Sequence, residues 1–222
     1  RSVLKYDAGN VNSYPGSGNT VYDLSRKGND GALTNVLYSS QFGGYFIFDG
    51  RGDYINSGND NSIKLTRVSV SFWFLAGVQS GIYCSLLNKR DSYNCFIYNN
   101  EIVLYNYKSM SHTSSLINVT DWKWRNVVVT FSEMSGSPSN NVDLYIDGVL
   151  NLNATVGLGG NYNGFDFIIG SVDDVEQYLF GGISKVTLYS NILSQSEISN
   201  IYNNEKSRYE LGSIPSGYPD GL

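Results

Sequence analysis

Histidine is nearly absent from this chain: of 222 residues, His112 alone carries an imidazole. A His-based metal site or a Ser–His catalytic pair would rest wholly on that residue. Ser111-His112-Thr113 reads instead as an exposed turn between strands. Charge is scarce as well, at 16% of residues, with a formal net charge of −5 and no basic cluster. Phosphate binding needs Lys and Arg gathered on one face, which argues against a nucleic-acid partner. No apolar run approaches the ~20 residues of a membrane-spanning helix, so membrane insertion is not expected.

Cysteine is limited to Cys84 and Cys95. A chain of this length buries roughly 70% of its unfolded surface and needs no covalent staples to hold a core. Both cysteines fall in one predicted hairpin, Ile82–Asn88 and Tyr93–Tyr98 around a Lys89–Ser92 loop. In that register Leu86 faces Cys95, and Cys84 lies diagonally from it. Diagonal Cα separations of about 7–8 Å are too long for a disulfide, although a slipped register would permit one. The pairing stays open, and cysteine says little about compartment. The chain opens at Arg1 with neither Met nor a signal-like apolar run, and reads as a fragment or processed product.

Glycine (24) and tyrosine (18) are plentiful, a balance that suits short strands, many turns and an aromatic surface. Period-2 alternation dominates. Val68, Val70, Phe72 and Phe74 alternate with Ser69, Ser71 and Trp73; Val127 and Val129 lead into Phe131; Val142, Leu144 and Ile146 alternate with Asp143 and Tyr145. Further strands are predicted at Tyr45–Phe48, Glu101–Tyr107, Phe165–Ile169 and Gly182–Tyr189. Asp147-Gly148 predicts a type I′ turn joining Val142–Ile146 to Val149–Val156. Ser194-Gln195-Ser196-Glu197 forms a capping box, and Ile198, Ile201 and Tyr202 share one face, predicting a helix over Gln195–Lys206. The 212–222 segment, with Pro215 and Pro219, reads as a tail or linker after a single domain spanning 1–211. The expected fold class is all-β: two packed antiparallel sheets with one short C-terminal helix.

The ordered motifs carry a family resemblance. Tyr6-Asp7-Ala8-Gly9-Asn10 through Tyr14-Pro15-Gly16-Ser17-Gly18, then Tyr22-Asp23-Leu24-Ser25, then Phe46-Ile47-Phe48-Asp49-Gly50-Arg51-Gly52-Asp53-Tyr54-Ile55 resemble the opening of a laminin-G-like domain. Val68–Phe74, Trp124–Thr130, Leu144–Gly148, Phe180–Val186 and Ile192–Ile198 continue that pattern to about residue 211. The resemblance implies a concanavalin A-like jelly-roll sandwich. Its opening and its Arg208-Tyr209-Glu210-Leu211 close look most like domains of phage and other viral structural proteins. Trp73 and Trp124 are expected to fill the sandwich or brace a strand end. Gly16, Gly18, Gly50 and Gly148 are expected at positive φ.

Glucanases of this superfamily carry paired carboxylates on one strand face. The nearest run here, Asp173-Asp174-Val175-Glu176, reads as a solvated loop with Asp174 and Glu176 on one side. No enzymatic activity is expected. Many relatives bind calcium, and Asp23, Asn29, Asp49 and Asp53 are candidate oxygen donors for a structural ion, with the ligand set left open. Arg51-Gly52-Asp53 spells an integrin-recognition tripeptide but falls on a family turn whose Asp is usual. Asn118-Val119-Thr120 and Asn153-Ala154-Thr155 are glycosylation sequons of the frequency expected in an Asn-rich chain. Tyr83, Tyr93, Tyr98, Tyr105 and Tyr107 cluster on neighbouring middle strands, where rings could stack on sugar faces; with Asp174 and Glu176 they form the candidate ligand site. The leading expectation is a non-enzymatic adhesion module recognising cell-surface glycans, on a virion or other extracellular assembly. The alternatives are a capsid or tail decoration protein that binds neighbouring virion proteins, and a carbohydrate-active enzyme or its accessory domain. Homo-oligomerisation is left open.

Overall fold

The computed structural model describes residues 1–78, 83–90, 92–106, 111–132, 140–156, 164–172 and 177–210. In chain order the first strands are β1 (Ser2–Asp7), β2 (Thr20–Val21), β3 (Gly31–Thr34), β4 (Leu37–Ser39), β5 (Tyr45–Asp49) and β6 (Tyr54–Asn56). The middle of the chain forms β7 (Val68–Ala76), β8 (Cys84–Lys89), β9 (Tyr93–Tyr98), β10 (Glu101–Asn106) and β11 (Ser111–Ser114). Then follow β12 (Arg125–Phe131), β13 (Asn140–Ile146), β14 (Val149–Val156), β15 (Phe167–Ile169), β16 (Phe180–Tyr189), and the helices α1 (Gln195–Glu205) and α2 (Ser207–Glu210). They build two antiparallel eight-stranded sheets. One runs β14-β13-β12-β7-β16-β5-β4, with β1 also on β16; the other runs β11-β10-β9-β8-β15-β6-β3-β2.

The alternation read from the sequence sets the faces. Val68, Val70, Phe72, Phe74 and Ala76 of β7 enter the core between the sheets, beside Val127, Val129 and Phe131 of β12 and Leu86, Cys95 and Ile97 of the opposite sheet. Asp147 (φ 53°) and Gly148 (φ 79°) form the I′ turn, and Gly16, Gly18 and Gly50 also take positive φ. The Ser194 capping box forms as expected, with Glu197 N–H donating to Ser194 Oγ and Ser194 N–H donating to Glu197 Oε2.

Four expectations need correction. The β8–β9 register carries an irregularity between Ser85 and Leu87, so Leu87 rather than Leu86 faces Cys95. Cys84 pairs with Ile97, which keeps the two sulfurs diagonal, and no disulfide joins them. Lys89 ends β8 rather than starting the loop. His112 lies on β11, opposite Tyr105, and not in a turn. Trp73 and Trp124 fill the space under the helices, outside the inter-sheet core. Trp73 stacks on Tyr209 with ring centroids 4.0 Å apart, and its Nε1 donates to Glu205 Oε2 at 2.7 Å. Trp124 meets Tyr45 and Tyr209 at 5.3 and 5.0 Å.

The helices are fastened by Arg208. Its guanidinium meets the carbonyls of Phe42, Gly43 and Gly44, Asp7 Oδ1 at 2.7 Å and Ser184 Oγ at 2.9 Å. Glycine is required for this approach: a Cβ on Gly9 would sit 1.6 Å from the Gly43 carbonyl oxygen. Replacing Arg208 with Met leaves those acceptors and the Asp7 carboxylate without their donor, and is expected to lower unfolding free energy by about 3 kcal/mol in a denaturant titration. Both cysteine side chains are buried, and burial pushes the Cys84 thiol up to about 12 and the Cys95 thiol upward as well. A thiol reagent is therefore expected to label neither in the native protein and both after unfolding without reductant; two unreactive sulfurs in denaturant would contradict the absence of a disulfide.

Candidate functional site

A shallow, open cleft of about 520 Å³ lies on the outward face of β3 and β6, near the β2 edge of their sheet. Leu33 and Ile55 turn into the core. Their neighbours Ala32, Thr34, Tyr54 and Asn56 line the cleft, with Ala32 opposite Asn56 and Thr34 opposite Tyr54 across the strand pair. The 28–30 and 57–60 loops supply the other walls.

Beneath the cleft lies a buried hydrogen-bond network. The Tyr6 hydroxyl donates to the Asn29 carbonyl and meets Ser57 Oγ at 2.9 Å. Burial pushes the Tyr6 hydroxyl far above its ordinary range, so it stays a donor. Asn29 Nδ2 donates to the Val3 carbonyl at 2.7 Å and to Ser62 Oγ at 2.9 Å. Asn29 is 2% exposed, and its Oδ1 is buried without a hydrogen-bond partner. Gly31 permits the close packing here, since a Cβ would lie 2.7 Å from Ile55 and 2.9 Å from the Tyr6 hydroxyl.

Two carboxylates edge the cleft. Asp30 Oδ1 accepts from the Asp23 N–H at 2.8 Å. Asp60 caps the short 3₁₀ turn Asn61–Ile63, accepting the Ser62 N–H at 2.7 Å. Bonds from the Ser62 backbone and side chain hold Asp60 below the usual carboxylate range. The nearby Lys89 ammonium is fully buried and donates to Asn59 Oδ1 and the Phe165 carbonyl, both at 2.5 Å. Burial lowers its pKa to about 8, against the opposing pull of Asp166.

Of the tyrosines expected to form one site, Tyr93 lies apart from Tyr83 and Tyr98. Tyr93 belongs to the core: it is 1% exposed and its hydroxyl donates to the Ile63 carbonyl at 2.9 Å. Alternation along β9 separates it from Tyr98, five residues on and therefore on the other face. Tyr83 and Tyr98 do come together, stacked at 4.2 Å with an 11° interplanar angle. Tyr98, on β9, is three strand steps from β6 and the cleft, roughly 14 Å along the sheet. Tyr105 lies on β10, but its side chain is outside the described residues, as are Tyr107, Asp174 and Glu176 altogether.

The calcium donors do not converge as one set. Asp23 is occupied by the N–H groups of Lys5, Ser25 and Asn29. Asp53 accepts the Asp49 N–H at 2.7 Å, and Asp49 accepts the Arg51 N–H. Among the described residues, no three His, Cys, Asp or Glu side chains are grouped to hold a metal. At 3% exposure Asp53 is also withdrawn from the Arg51-Gly52-Asp53 tripeptide as a receptor contact. No helix among the described residues is long and apolar enough to cross a membrane.

Two stacked antiparallel sheets with a helix closing the outer face of one define a concanavalin A-like jelly roll. The chain belongs to the concanavalin A-like lectin/glucanases superfamily, whose laminin-G family profile matches residues 49–199. The opening motif at Tyr6–Ser25 lies ahead of that range. At the level of sequence, none of the curated proteins matches the chain. The binding domain of Paraclostridial Mosquitocidal Protein 1 superposes with a TM-score of 0.70 at 14% identity, over 91% of this chain and 52% of that one. The receptor binding domain of botulinum neurotoxin C/D mosaic serotype gives 0.70 at 19% identity, over 91% and 51%. That of botulinum neurotoxin type G gives 0.65 at 16%, over 92% and 51%. The chain thus spans about half the length of these structures, and what it shares with them is the fold.

The turn leading into β6 carries a pH dependence. Burial, reinforced by the neighbouring Asp49 carboxylate, raises the Asp53 pKa to about 6. The folded state therefore binds this proton more readily than the unfolded chain. Stability from Asp53 is gained as pH falls through about 6 toward the ordinary carboxylate value near 4, and is absent above it. Relative to Asp53→Asn, which retains an acceptor for the Asp49 N–H, the native protein is expected to gain about 1 kcal/mol between about pH 7 and pH 5. Thermal melts of both proteins at the two pH values measure it; an unchanged difference would refute the assignment.

Proposed function

We propose that the protein is a non-enzymatic binding module that recognises a glycan through the β3–β6 cleft. The carrying observation is the cleft's lining: Asn29, Asn56 and Asn59, Asp30 and Asp60, with Tyr54 beside them, in a volume that fits a mono- to disaccharide. Amide and carboxylate groups satisfy sugar hydroxyls, and an aromatic side chain offers a face for the apolar side of the ring. The network under the cleft fixes Asn29 and Ser57 before any ligand arrives, which lowers the entropic cost of binding.

A glycosidase acid needs a carboxyl raised above its ordinary range. Asp60 is shifted the opposite way, which supports binding over hydrolysis. Several structural neighbours bear the name binding or receptor binding domain, and this supports a role at an extracellular surface. The viral-type opening and closing motifs support a place on a virion or similar assembly.

A glycan array probed with the purified domain, with calcium and again with a chelator, tests the reading. Selective, saturable binding is expected, and Tyr54→Ala is expected to weaken it at least about tenfold with an unchanged melting temperature. A blank array under both conditions would transfer the binding role to a protein partner.

A further inference from the structure

We infer that two copies of this chain associate through the outer edge of β14, pairing antiparallel about a two-fold axis so that one sheet continues into the other.

The two sheets have four edge strands, β14 and β4 on one, β11 and β2 on the other. Three are short: β2 has two residues, β4 three and β11 four. A short edge offers few backbone groups to another chain. β14 has eight residues, roughly 26 Å of strand. Its sequence, Val149-Leu150-Asn151-Leu152-Asn153-Ala154-Thr155-Val156, holds no charged residue and no proline, the usual means of blunting an edge. One register irregularity falls at Asn151, and it leaves positions 152–156 in unbroken register with 140–144 of β13. Among the described residues β14 pairs only with β13, while β11, nearby in the opposite sheet, pairs only with β10.

The alternation of the strand identifies the occupant. Leu152 and Ala154 pack toward the core, whereas Asn153 and Thr155 are exposed on the outer face. An antiparallel strand centred on Ala154 sets Ala154 against Ala154 and Asn153 against Thr155. Apolar then meets apolar and polar meets polar, and a copy of β14 brings that alternation with it. Such a contact is self-complementary, and it closes at two copies. Charge favours the same place. A net charge of −5 makes two copies repel, and an uncharged edge is where like-charged chains can approach. The carboxylate on the neighbouring strand, Asp143, accepts from Asn153 Nδ2, and Thr155 Oγ1 donates to Asn141 Oδ1 at 3.4 Å. These rungs hold β14 against β13 before a second copy arrives, which lowers the ordering cost of association.

Sedimentation equilibrium of the full chain from about 1 μM to about 1 mM, a span covering moderate to weak association, tests the pairing. The mass is expected to rise from the 24.6 kDa of one chain to twice that value. Amide hydrogen exchange along β14 is expected to slow over the same range. Replacing Asn153 and Thr155 together (Asn153→Lys with Thr155→Lys) sets like charges opposite each other on both sides of the axis. This is expected to weaken the dimer at least about tenfold while the dilute chain keeps its melting temperature. A single-chain mass at every concentration would overturn the pairing, and slowing of β14 exchange only by an added extended peptide would give the edge to a foreign strand. A dimer that survives the double substitution, with β14 amides exchanging equally in dilute and concentrated samples, would place the interface elsewhere and overturn the assignment. Growth past two copies would show an open, head-to-tail contact in place of the two-fold one and overturn it as well.

Discussion

The guanidinium of Arg208 is the constraint on which the rest of the arrangement depends. It gathers Asp7 from the first strand, three consecutive carbonyls from the 42–44 turn, and Ser184 from the last strand into one site. A planar, permanently charged fork suits this task, because a lysine ammonium could not meet so many acceptors in one plane. The small residues around it follow from that demand: Gly9 and Gly44 bring their backbones into contact, and neither position has room for a Cβ. With Arg208 in place, Tyr209 is set down on Trp73 and Trp124, and the outer face of the first sheet is closed. A second small apolar cluster, Val128, Tyr145, Leu193 and Ile198, completes that closure under α1.

The other sheet keeps an open outer face at β3 and β6. There β3 and β6 present Ala32, Thr34, Tyr54 and Asn56 outward over a floor that is polar yet held in place. The floor is tied to β1 through Tyr6 and the Val3 carbonyl, so the strand that Arg208 anchors is also the one that positions Asn29. Core, clamp and cleft are three parts of one hydrogen-bonded path, which begins at the helix end and finishes at the cleft floor.

Much of the fold was legible in the sequence, and the reason is length. β7, β12, β13, β14 and β16 run for seven to ten residues, enough for alternation to declare both the strand and its inward face. The I′ turn at Asp147-Gly148 and the Ser194 capping box were legible because single residues dictate their geometry. The strands that build the cleft were not. β3 and β6 have four and three residues, too few to show a period, and they sit among Asn, Gly and Asp that read as loop. The irregularity at Leu86 left no mark in the residue types, and it shifted the pairing opposite Cys95 by one. Tyr93 was a different kind of miss: it shares parity with Cys95 and Ile97, both core residues, and that parity alone assigned it to the interior. Tyr54 and Asn56, flanking the inward Ile55, carried a short version of the same signal.

The placement of Arg1 and Arg208 at opposite ends of β1 has a mechanical consequence. Arg1 lies at one end of that strand, its carbonyl bonded to the Ser190 N–H, while Arg208 is tied to Asp7 at the other. The β1–β16 ladder by itself resists stretching poorly: Ser2 pairs with Tyr189, so the chain enters one strand and leaves the other at the same end, and a pull there opens the pairs one after another. Arg208 changes that path, because load arriving through the helices is passed to Asp7 and Ser184 at the far end of the pair before the ladder feels it. The guanidinium acts as the latch of a zipper.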